Sequence, residues 1–187
     1  MRIAFFGGVY NNYLALQATF QDARRRDAEA LYCLGDIGGF GPHPNRSLEL
    51  LRDAGIDVVQ GNYDHSIGHQ LDDCGCGYTD PRDNHYARIS YQYTRAKTSP
   101  RHLQWLRSLL PRIRVQAGAL TLLLVHGSPR KVNEFLWEST TPDHLLEWMD
   151  GSIYRSLQGP EFDLGTLVQV AESLRRLAPV GASRGSP

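Results

Sequence analysis

Three polar residues with metal-binding side chains each follow a short apolar segment and each stand beside a glycine: Asp36, Asn62 and His126. Carboxylate, amide and imidazole groups together suit a hard or borderline divalent metal. If the apolar segments are neighbouring parallel strands, their ends meet at one edge of the sheet, in the crevice where open sheets bind ligands. The pattern therefore predicts a metal half-site. The apolar segments span residues 30–34, 57–60 and 120–125.

Each of these residues also has an ordinary structural explanation when it is taken alone. Asp36 would cap the following loop, Asn62 would form a turn, and His126 would be a hydrogen-bonded histidine at a strand end. The occurrence of all three after strands and beside glycines favours the metal site over three separate structural roles.

The elements that must position these residues alternate between short apolar runs and amphipathic segments. Such alternation is typical of an α/β fold, with parallel strands joined by right-handed crossovers and working loops at the carboxyl ends of the strands. The first half of the chain predicts strands at 3–6, 30–34 and 57–60 and helices from Tyr13 and from near Pro44. The second half predicts an irregular loop at 72–83, mostly helical sequence at 84–110 with a new helix starting at Ser99-Pro100, and a fourth strand at 120–125.

Composition favours one globular domain and does not indicate any class of binding partner. The 187 residues include 20 Lys plus Arg and 20 Asp plus Glu, so the net charge of zero argues against a nucleic-acid surface or a polybasic membrane patch. The longest apolar run is far shorter than the ~20 residues of a membrane-spanning helix. Three cysteines are too few for a disulfide scaffold, and an odd number leaves at least one thiol free. These features favour a cytoplasmic protein.

The motifs around the three polar residues resemble those of the calcineurin-like metallophosphoesterases, in particular their small bacterial phosphodiesterase and phosphatase branch. The start of the chain, with Asn12 and the helix containing Leu16, is also similar to the start of that family, and the resemblance covers residues 1 to about 150. It implies an α+β sandwich of sheets flanked by helices, with two metal ions at the strand ends that activate a water and bind the phosphate. The matching motifs are Leu34-Gly35-Asp36 with Gly39-Phe40-Gly41-Pro42, Gly61-Asn62-Tyr63-Asp64, and Val125-His126-Gly127-Ser128-Pro129.

The resemblance also implies a role for each matched polar residue. Asp36 would bridge the two metals, while Asn62 and His126 would bind the second metal. Asp64 matches the acidic residue that orients the motif histidine, and Tyr63 stands at the position of that histidine, so the resemblance places both at catalytic positions. Asn12 is expected to bind substrate. The implied cofactor is a divalent metal (manganese, iron, zinc or nickel), present as one ion or none, and the implied partner is a phosphoester substrate or ligand.

The chain departs from the motif series of the family in three places. Where the family has Asp-x-His after its first strand, this chain has Gly8-Val9-Tyr10, so the carboxylate and imidazole of the first metal are missing. Tyr63 replaces the histidine of Gly-Asn-His-Asp, which removes a group that titrates near neutrality. No Gly-His-x-His follows His126, which predicts a fold that is incomplete at its C-terminus. Only the second metal keeps a set of ligands.

Residues 1–150 are predicted to form the metallophosphoesterase-like domain, and residues 151–187 to form a separate C-terminal region. That region is expected to hold an atypical helix at 162–177 and a disordered tail rich in Gly, Ser and Pro. One interpretation is that the chain is the shortened product of a longer ancestor. Loss of the last strands would expose a sheet edge and apolar surface, which favours either association, for example as a homo-oligomer, or instability.

A loop around Cys74 and Cys76 carries several metal-capable groups. One hypothesis is that this loop folds over the site and donates thiolate or imidazole to an ion. The alternative is a surface loop with two partly buried thiols, which the spacing favours because Cys-x-Cys is not the usual zinc spacing. The further metal-capable residues near this loop in sequence are Asp72, Asp73, His65, His69 and His85.

Two functions remain open from the sequence. The first is a metal-dependent phosphoester hydrolase, a phosphatase or phosphodiesterase with a degraded dinuclear site and weak or no activity. The second is a catalytically inactive member of the same fold that binds a ligand or regulates a partner. Nucleotide-cofactor folds are excluded, because the chain has no Gly-x-Gly-x-x-Gly spacing and no Gly-Lys-Ser/Thr. A serine hydrolase that uses Ser128 is disfavoured, because His126-Gly127-Ser128-Pro129 does not place this serine in Gly-x-Ser-x-Gly.

Overall fold

The computed structural model describes residues 1–118, 120–134, 136 and 142–144, and this part of the chain contains five short strands and five helices. The strands are β1 (Ile3–Phe6), β2 (Ala30–Cys33), β3 (Asp57–Val58), β4 (Arg112–Ala117) and β5 (Leu120–Val125). The helices are α1 (Tyr13–Arg25), α2 (Pro44–Asp53), α3 (Asn62–Gly68), α4 (Pro81–Lys97) and α5 (Pro100–Ser108). The C-terminal helix expected at 162–177 and the tail after it lie outside the described residues.

The first three strands form a parallel sheet in the order β1-β2-β3, joined by crossovers through α1 and α2, as the alternating sequence pattern predicts. Ile3 pairs with Ala30 at one end of the sheet, and Tyr32 pairs with Asp57. The third strand is shorter than predicted. It ends at Val58, and Val59 continues it only as an isolated parallel bridge to Leu110.

The strand before His126 does not belong to the parallel sheet, so the expectation of three neighbouring parallel strands is wrong for this residue. β5 instead pairs antiparallel with β4, from Arg112 opposite Val125 to Ala117 opposite Leu120. β4 was not predicted from the sequence, although its buried Val115 and exposed neighbours show the period of two that is typical of a strand with one buried face.

Two apolar clusters use opposite faces of the parallel sheet and so place the hairpin β4–β5 against it. The larger cluster buries Phe6, Cys33 and Val58 with residues of the helices, among them Leu16 of α1. The smaller cluster consists of buried Val59, Val115 and Leu124 with partly buried Phe5, Tyr32, Leu34, Ile113 and Leu122. Because side chains alternate between the two faces of a strand, neighbouring residues supply the two clusters. The hairpin therefore packs on the sheet face opposite the helices.

The short helix α3 is the second element that was not predicted from the sequence, where Asn62 was expected only to follow the third strand, as a metal ligand or as a turn residue. It begins directly after Gly61, and the carboxylate of Asp64 in its first turn accepts the backbone N–H of Gly61 at 2.9 Å. An acidic residue at this position commonly satisfies the backbone of a helix N-terminus. With only seven residues, α3 is too short to show helical periodicity in its sequence.

Candidate metal half-site

The structure brings together the three predicted metal ligands. His126 Nε2 lies 3.1 Å from Asn62 Oδ1 and 3.4 Å from Asp36 Oδ2. Asp36 and Asn62 are buried, and His126 keeps 16% of its side chain exposed. Two oxygen donors and one nitrogen donor thus face each other at the end of the parallel sheet, where the pattern predicted them.

Close approach of two loops fixes the position of the Asp36 carboxylate. A Cβ atom at Gly61 would lie 2.3 Å from Asp36 Oδ1, so only glycine allows the loops after β2 and β3 to pass this closely. Asp36 Oδ1 accepts the backbone N–H of Tyr63 at 3.1 Å. The other oxygen, Oδ2, faces His126. One carboxylate oxygen therefore holds the loop geometry while the other faces the half-site.

Asp64 is fully buried and holds the backbone around Asp36. Its Oδ2 accepts N–H groups of Asp36 at 2.8 Å and of Gly61 at 2.9 Å, and its Oδ1 accepts that of Ile37 at 2.9 Å. Burial and the charge of Asp36 raise the pKa of Asp64, and the three N–H donors oppose this effect. Three donors and no acceptor match an ionised carboxylate. The described contacts of Asp64 are those of a residue that positions the ligands.

His126 is held in one tautomer by the backbone. Its Nδ1 lies 2.7 Å from the carbonyl oxygen of Leu34, and since a carbonyl only accepts, Nδ1 carries the proton. Nε2 is thereby free to bind a metal or to carry a second proton. Burial alone would lower the pKa of His126, but the hydrogen bond and the charge of Asp36 outweigh it and raise the pKa to about 9. Without metal, an imidazolium thus supplies the positive charge at this site.

The loop that carries the two neighbouring cysteines lies against Asn62. Asn62 Nδ2 donates to the carbonyl oxygen of Cys74 at 2.9 Å and lies 3.7 Å from Cys76 Sγ. On its other side the loop is joined to the segment after β5, because Asn133 Nδ2 donates to the carbonyl oxygen of Gly75 at 3.4 Å. The hypothesis that this loop folds over the site is consistent with these contacts.

Cys74 and Cys76 form a disulfide, so the expectation of two partly buried thiols is wrong. The error arose because a count of cysteines cannot show which sulfur atoms meet. Cys33, buried in β2, is the free thiol that the odd cysteine number required. Neither sulfur of the disulfide is a thiolate donor in this state.

Aromatic rings fill the region where the family pattern has the ligands of the first metal. Tyr10 stacks edge-on against Phe40 and Tyr63, with ring centroids 5.5 Å and 6.1 Å away. Gly8 has a positive φ of 62°, and a Cβ there would lie 2.9 Å from the Tyr10 ring. The glycine and the tyrosine therefore fit each other sterically, and neither supplies a carboxylate or an imidazole.

Tyr63 is buried in this aromatic cluster. Its hydroxyl makes no hydrogen bond of normal geometry within the described part of the chain, and Tyr78 is its polar neighbour. Burial raises the pKa of Tyr63 far above its ordinary value, and the neighbouring Tyr78, Asp36 and Tyr10 raise it further. The hydroxyl therefore stays protonated at neutral pH, in contrast to a histidine that titrates there.

Asn12 caps a helix. Its exposed side chain accepts the backbone N–H of Ala15 at 3.0 Å, which is the contact of an N-cap residue of α1. The neighbouring Asn11, which the sequence analysis did not select, is fully buried and donates to the carbonyl oxygens of Gly39 and Gly41. Asn11 thus joins the loop after β1 to the glycine-rich loop after β2.

The donor set fits one divalent ion better than two. In the part of the chain that the structure describes, no three His, Cys, Asp or Glu side chains come together as a metal-binding group, and the half-site contains only Asp36 and His126 of these types. Asn62 supplies the third donor. Three further groups position the side chains of the half-site: the Leu34 carbonyl, Gly61 and the Cys74 carbonyl. Of these, only Gly61 left a signal in the sequence, as the glycine beside Asn62.

The chain is similar to a known protein family and to proteins of known structure. A family model described as calcineurin-like phosphoesterase matches residues 1–164. A crystal structure of a metallophosphoesterase from Sphaerobacter thermophilus is 34% identical with a TM-score of 0.54, covering 73% of this chain and 51% of that chain. A hypothetical protein of Pyrococcus horikoshii is 21% identical with a TM-score of 0.66, covering 82% of this chain and 65% of that chain, a likeness that shows the fold.

A third relative is an uncharacterised protein of Methanocaldococcus jannaschii. It is 29% identical over 143 residues, which are 76% of this chain and 55% of the relative. The chain therefore spans between about half and two thirds of the length of the relatives that it matches. Separately, no helix of the described residues combines the length and the apolar character needed to cross a membrane.

Proposed function

This chain belongs to the calcineurin-like phosphoesterase family, and on that premise we propose that it binds one divalent metal at Asp36, Asn62 and His126 and, through that metal, a phosphoester. Slow hydrolysis of the phosphoester is the proposed activity. The observation that carries this proposal is the approach of His126 Nε2 to Asn62 Oδ1 and Asp36 Oδ2 within 3.4 Å.

The donor types support a divalent metal of the manganese, iron, zinc or nickel group. Carboxylate and amide oxygens with one imidazole nitrogen suit these ions. The Leu34 carbonyl holds the proton on Nδ1 of His126, which directs the Nε2 lone pair into the site. Asp64 and Gly61 fix the backbone on which Asp36 stands. A metal bound there would polarise a phosphoryl oxygen and lower the pKa of a water.

The residues at the first-metal position support slow turnover. Two-metal phosphoesterases stabilise both the attacking and the leaving oxygen with a pair of ions. In this chain Gly8 offers no ligand and Tyr10 packs into the aromatic cluster. With only one ion, the leaving oxygen loses its metal partner, and Tyr63, whose pKa is raised by burial, is a poor proton donor for it.

A second candidate function is phosphoester binding without turnover, which the state of Tyr63 favours. At the position where the family has a titrating histidine, this chain has Tyr63, whose buried hydroxyl stays protonated. A bound metal and a bound phosphoryl group do not require this residue to move a proton. Such a protein would act by presenting or sequestering its ligand.

The test combines metal content with hydrolysis. Purified protein is analysed by elemental mass spectrometry and titrated with Mn²⁺, and p-nitrophenyl phosphate and bis-p-nitrophenyl phosphate are assayed with and without Mn²⁺. We expect one bound ion per chain and slow, Mn²⁺-dependent hydrolysis. Both should disappear in His126→Ala and persist in His69→Ala, a matched control at an exposed histidine of the loop after α3.

The outcomes separate the candidates. Metal binding with no hydrolysis of either ester would select the binding function over the enzyme. Absence of metal binding in the wild-type protein, or binding that survives His126→Ala unchanged, would overturn the proposed site itself.

A further inference from the structure

The disulfide between Cys74 and Cys76 closes a ring with only one residue inside it. A disulfide stabilises a fold mainly by restricting the unfolded chain, and this effect grows with the length of the closed loop. A ring this small restricts the unfolded chain very little. Its contribution to the stability of the protein is therefore small, and its main structural effect concerns the loop that contacts Asn62.

The disulfide loop sets the orientation of one proposed metal ligand. Asn62 Nδ2 points at the loop, 2.9 Å from the Cys74 carbonyl oxygen and 3.7 Å from Cys76 Sγ. The amide is planar, so this leaves Asn62 Oδ1 on the opposite side, 3.1 Å from His126 Nε2. If the loop moves, the amide loses the partners that determine which of its two ends faces the half-site.

The disulfide is reachable from solvent. A cavity of about 60 Å³ is lined by both cysteines together with Tyr78, Asn84 and Arg88. Residue Cys74 is 8% exposed and residue Cys76 is more exposed than that, which favours attack on the sulfur of Cys76. Attack on one sulfur of an accessible disulfide by an incoming thiolate is the general route of reduction.

We propose that Cys74 and Cys76 form a thiol–disulfide exchange site that controls the orientation of Asn62 and, through it, the metal affinity of the half-site. The effect on metal affinity rests on the proposed function, whereas the exchange and the reorientation of Asn62 do not. The reductant is a dithiol. One of its thiolates attacks Cys76 Sγ, Cys74 leaves as a thiolate and takes up a proton, and the second thiol of the reductant then displaces Cys76. The net change is one protein disulfide reduced to two thiols and one dithiol oxidised to a disulfide.

The first measurement is made on metal-free, folded protein. After dithiothreitol treatment and removal of the reagent without oxygen, two additional cysteines should react with iodoacetamide by mass spectrometry. In ¹H–¹⁵N spectra the side-chain amide signals of Asn62, identified by their loss in Asn62→Ala, should shift on reduction and return on reoxidation by a small disulfide. Cys74→Ser/Cys76→Ser should show the reduced positions under all conditions, and Cys33→Ala should respond like the wild type.

The second measurement is Mn²⁺ affinity in the two redox states. We expect reduction to weaken Mn²⁺ binding by about tenfold, the size typical for loss of a group that orients a metal ligand. Failure of the two cysteines to become reactive, unchanged Asn62 signals on reduction, or equal Mn²⁺ affinities in both states would each overturn the proposal. If the Asn62 signals shift but neither state binds Mn²⁺, the exchange site stands and the proposed metal function fails.

Discussion

The buried carboxylate of Asp64 accepts the backbone N–H of Asp36 at 2.8 Å and so holds a proposed metal ligand that lies 28 residues away in the sequence. The same oxygen accepts the N–H of Gly61 at 2.9 Å. One side chain therefore joins the end of β2 to the start of α3, the two places from which Asp36 and Asn62 extend. The geometry of the half-site depends on this junction as much as on the ligands.

Replacement of Asp64 by Asn should destabilise the protein strongly. The amide has one oxygen in place of two, so its NH₂ group would face a backbone N–H donor in a buried site. We expect the free energy of unfolding in urea to fall by about 2–4 kcal/mol and Mn²⁺ affinity to fall with it. Asp57→Asn, at an exposed position of β3, is the matched control. A loss below about 0.5 kcal/mol would contradict the positioning role.

Restoration of the missing ligand pair should convert the half-site into a two-metal site. Gly8→Asp alone would place a Cβ 2.9 Å from the Tyr10 ring at a positive φ, and we expect it to destabilise the fold. Gly8→Asp/Tyr10→His replaces the phenol ring with the smaller imidazole, and Asp and His both tolerate positive φ better than Tyr. Elemental mass spectrometry should then find two ions per chain, with faster Mn²⁺-dependent hydrolysis. Tyr10→His alone should keep one ion, and a double variant that also keeps one would contradict this prediction.

Stability of the metal-free protein should fall as the pH rises above neutrality. The pKa of His126 is raised from an ordinary 6.5 to about 9, because Asp36 outweighs the effect of burial. Between these values the folded protein holds a proton that the unfolded chain has released, so this stabilisation is complete below pH 6.5 and lost as the pH passes 9. The full effect is at most about 3 kcal/mol. Urea unfolding at several pH values should show it in the wild type, and His126→Gln should remove this part of the pH dependence.

With Mn²⁺ bound, the stability of the protein should no longer fall as the pH rises above neutrality. A metal can bind His126 Nε2 only after the second proton leaves, so binding releases about one proton below pH 9 and metal affinity rises with pH. Isothermal titration in buffers of different ionisation enthalpy measures the released proton. Binding that releases no proton at pH 7 would place the metal away from His126.

Tyr63→Phe tests the catalytic position that the family resemblance assigns to Tyr63. The ring keeps its contacts with Phe40 and Tyr91, and only a buried hydroxyl is lost. We expect stability to change by less than about 1 kcal/mol. A general acid contributes about 100-fold or more to a rate, and since burial keeps the Tyr63 proton tightly bound we expect a much smaller loss of hydrolysis. A loss of 100-fold would instead establish the hydroxyl as catalytic, and Tyr63→His is the variant that restores the family residue.

The sequence predicted the parallel sheet and the placement of Asp36 and Asn62 at its edge because their signals are local. Short apolar runs that end in glycine mark β1, β2 and β3, and Asp36 and Asn62 come directly after two of these runs. β4 was missed although its alternation is visible, and α3 was missed because seven residues cannot show a helical period.

What the sequence by itself determined is the type of each proposed ligand, the order of the motifs and the family. Only the tertiary structure decided that His126 reaches the site from a separate antiparallel hairpin, with a partner, the Leu34 carbonyl, that is 92 residues away. It also decided that Tyr10 packs against Phe40 and that the Cys74–Cys76 loop holds Asn62. These contacts depend on which faces of sheet, hairpin and loop pack together. That packing is a cooperative property of many buried side chains, and no short stretch of sequence encodes it.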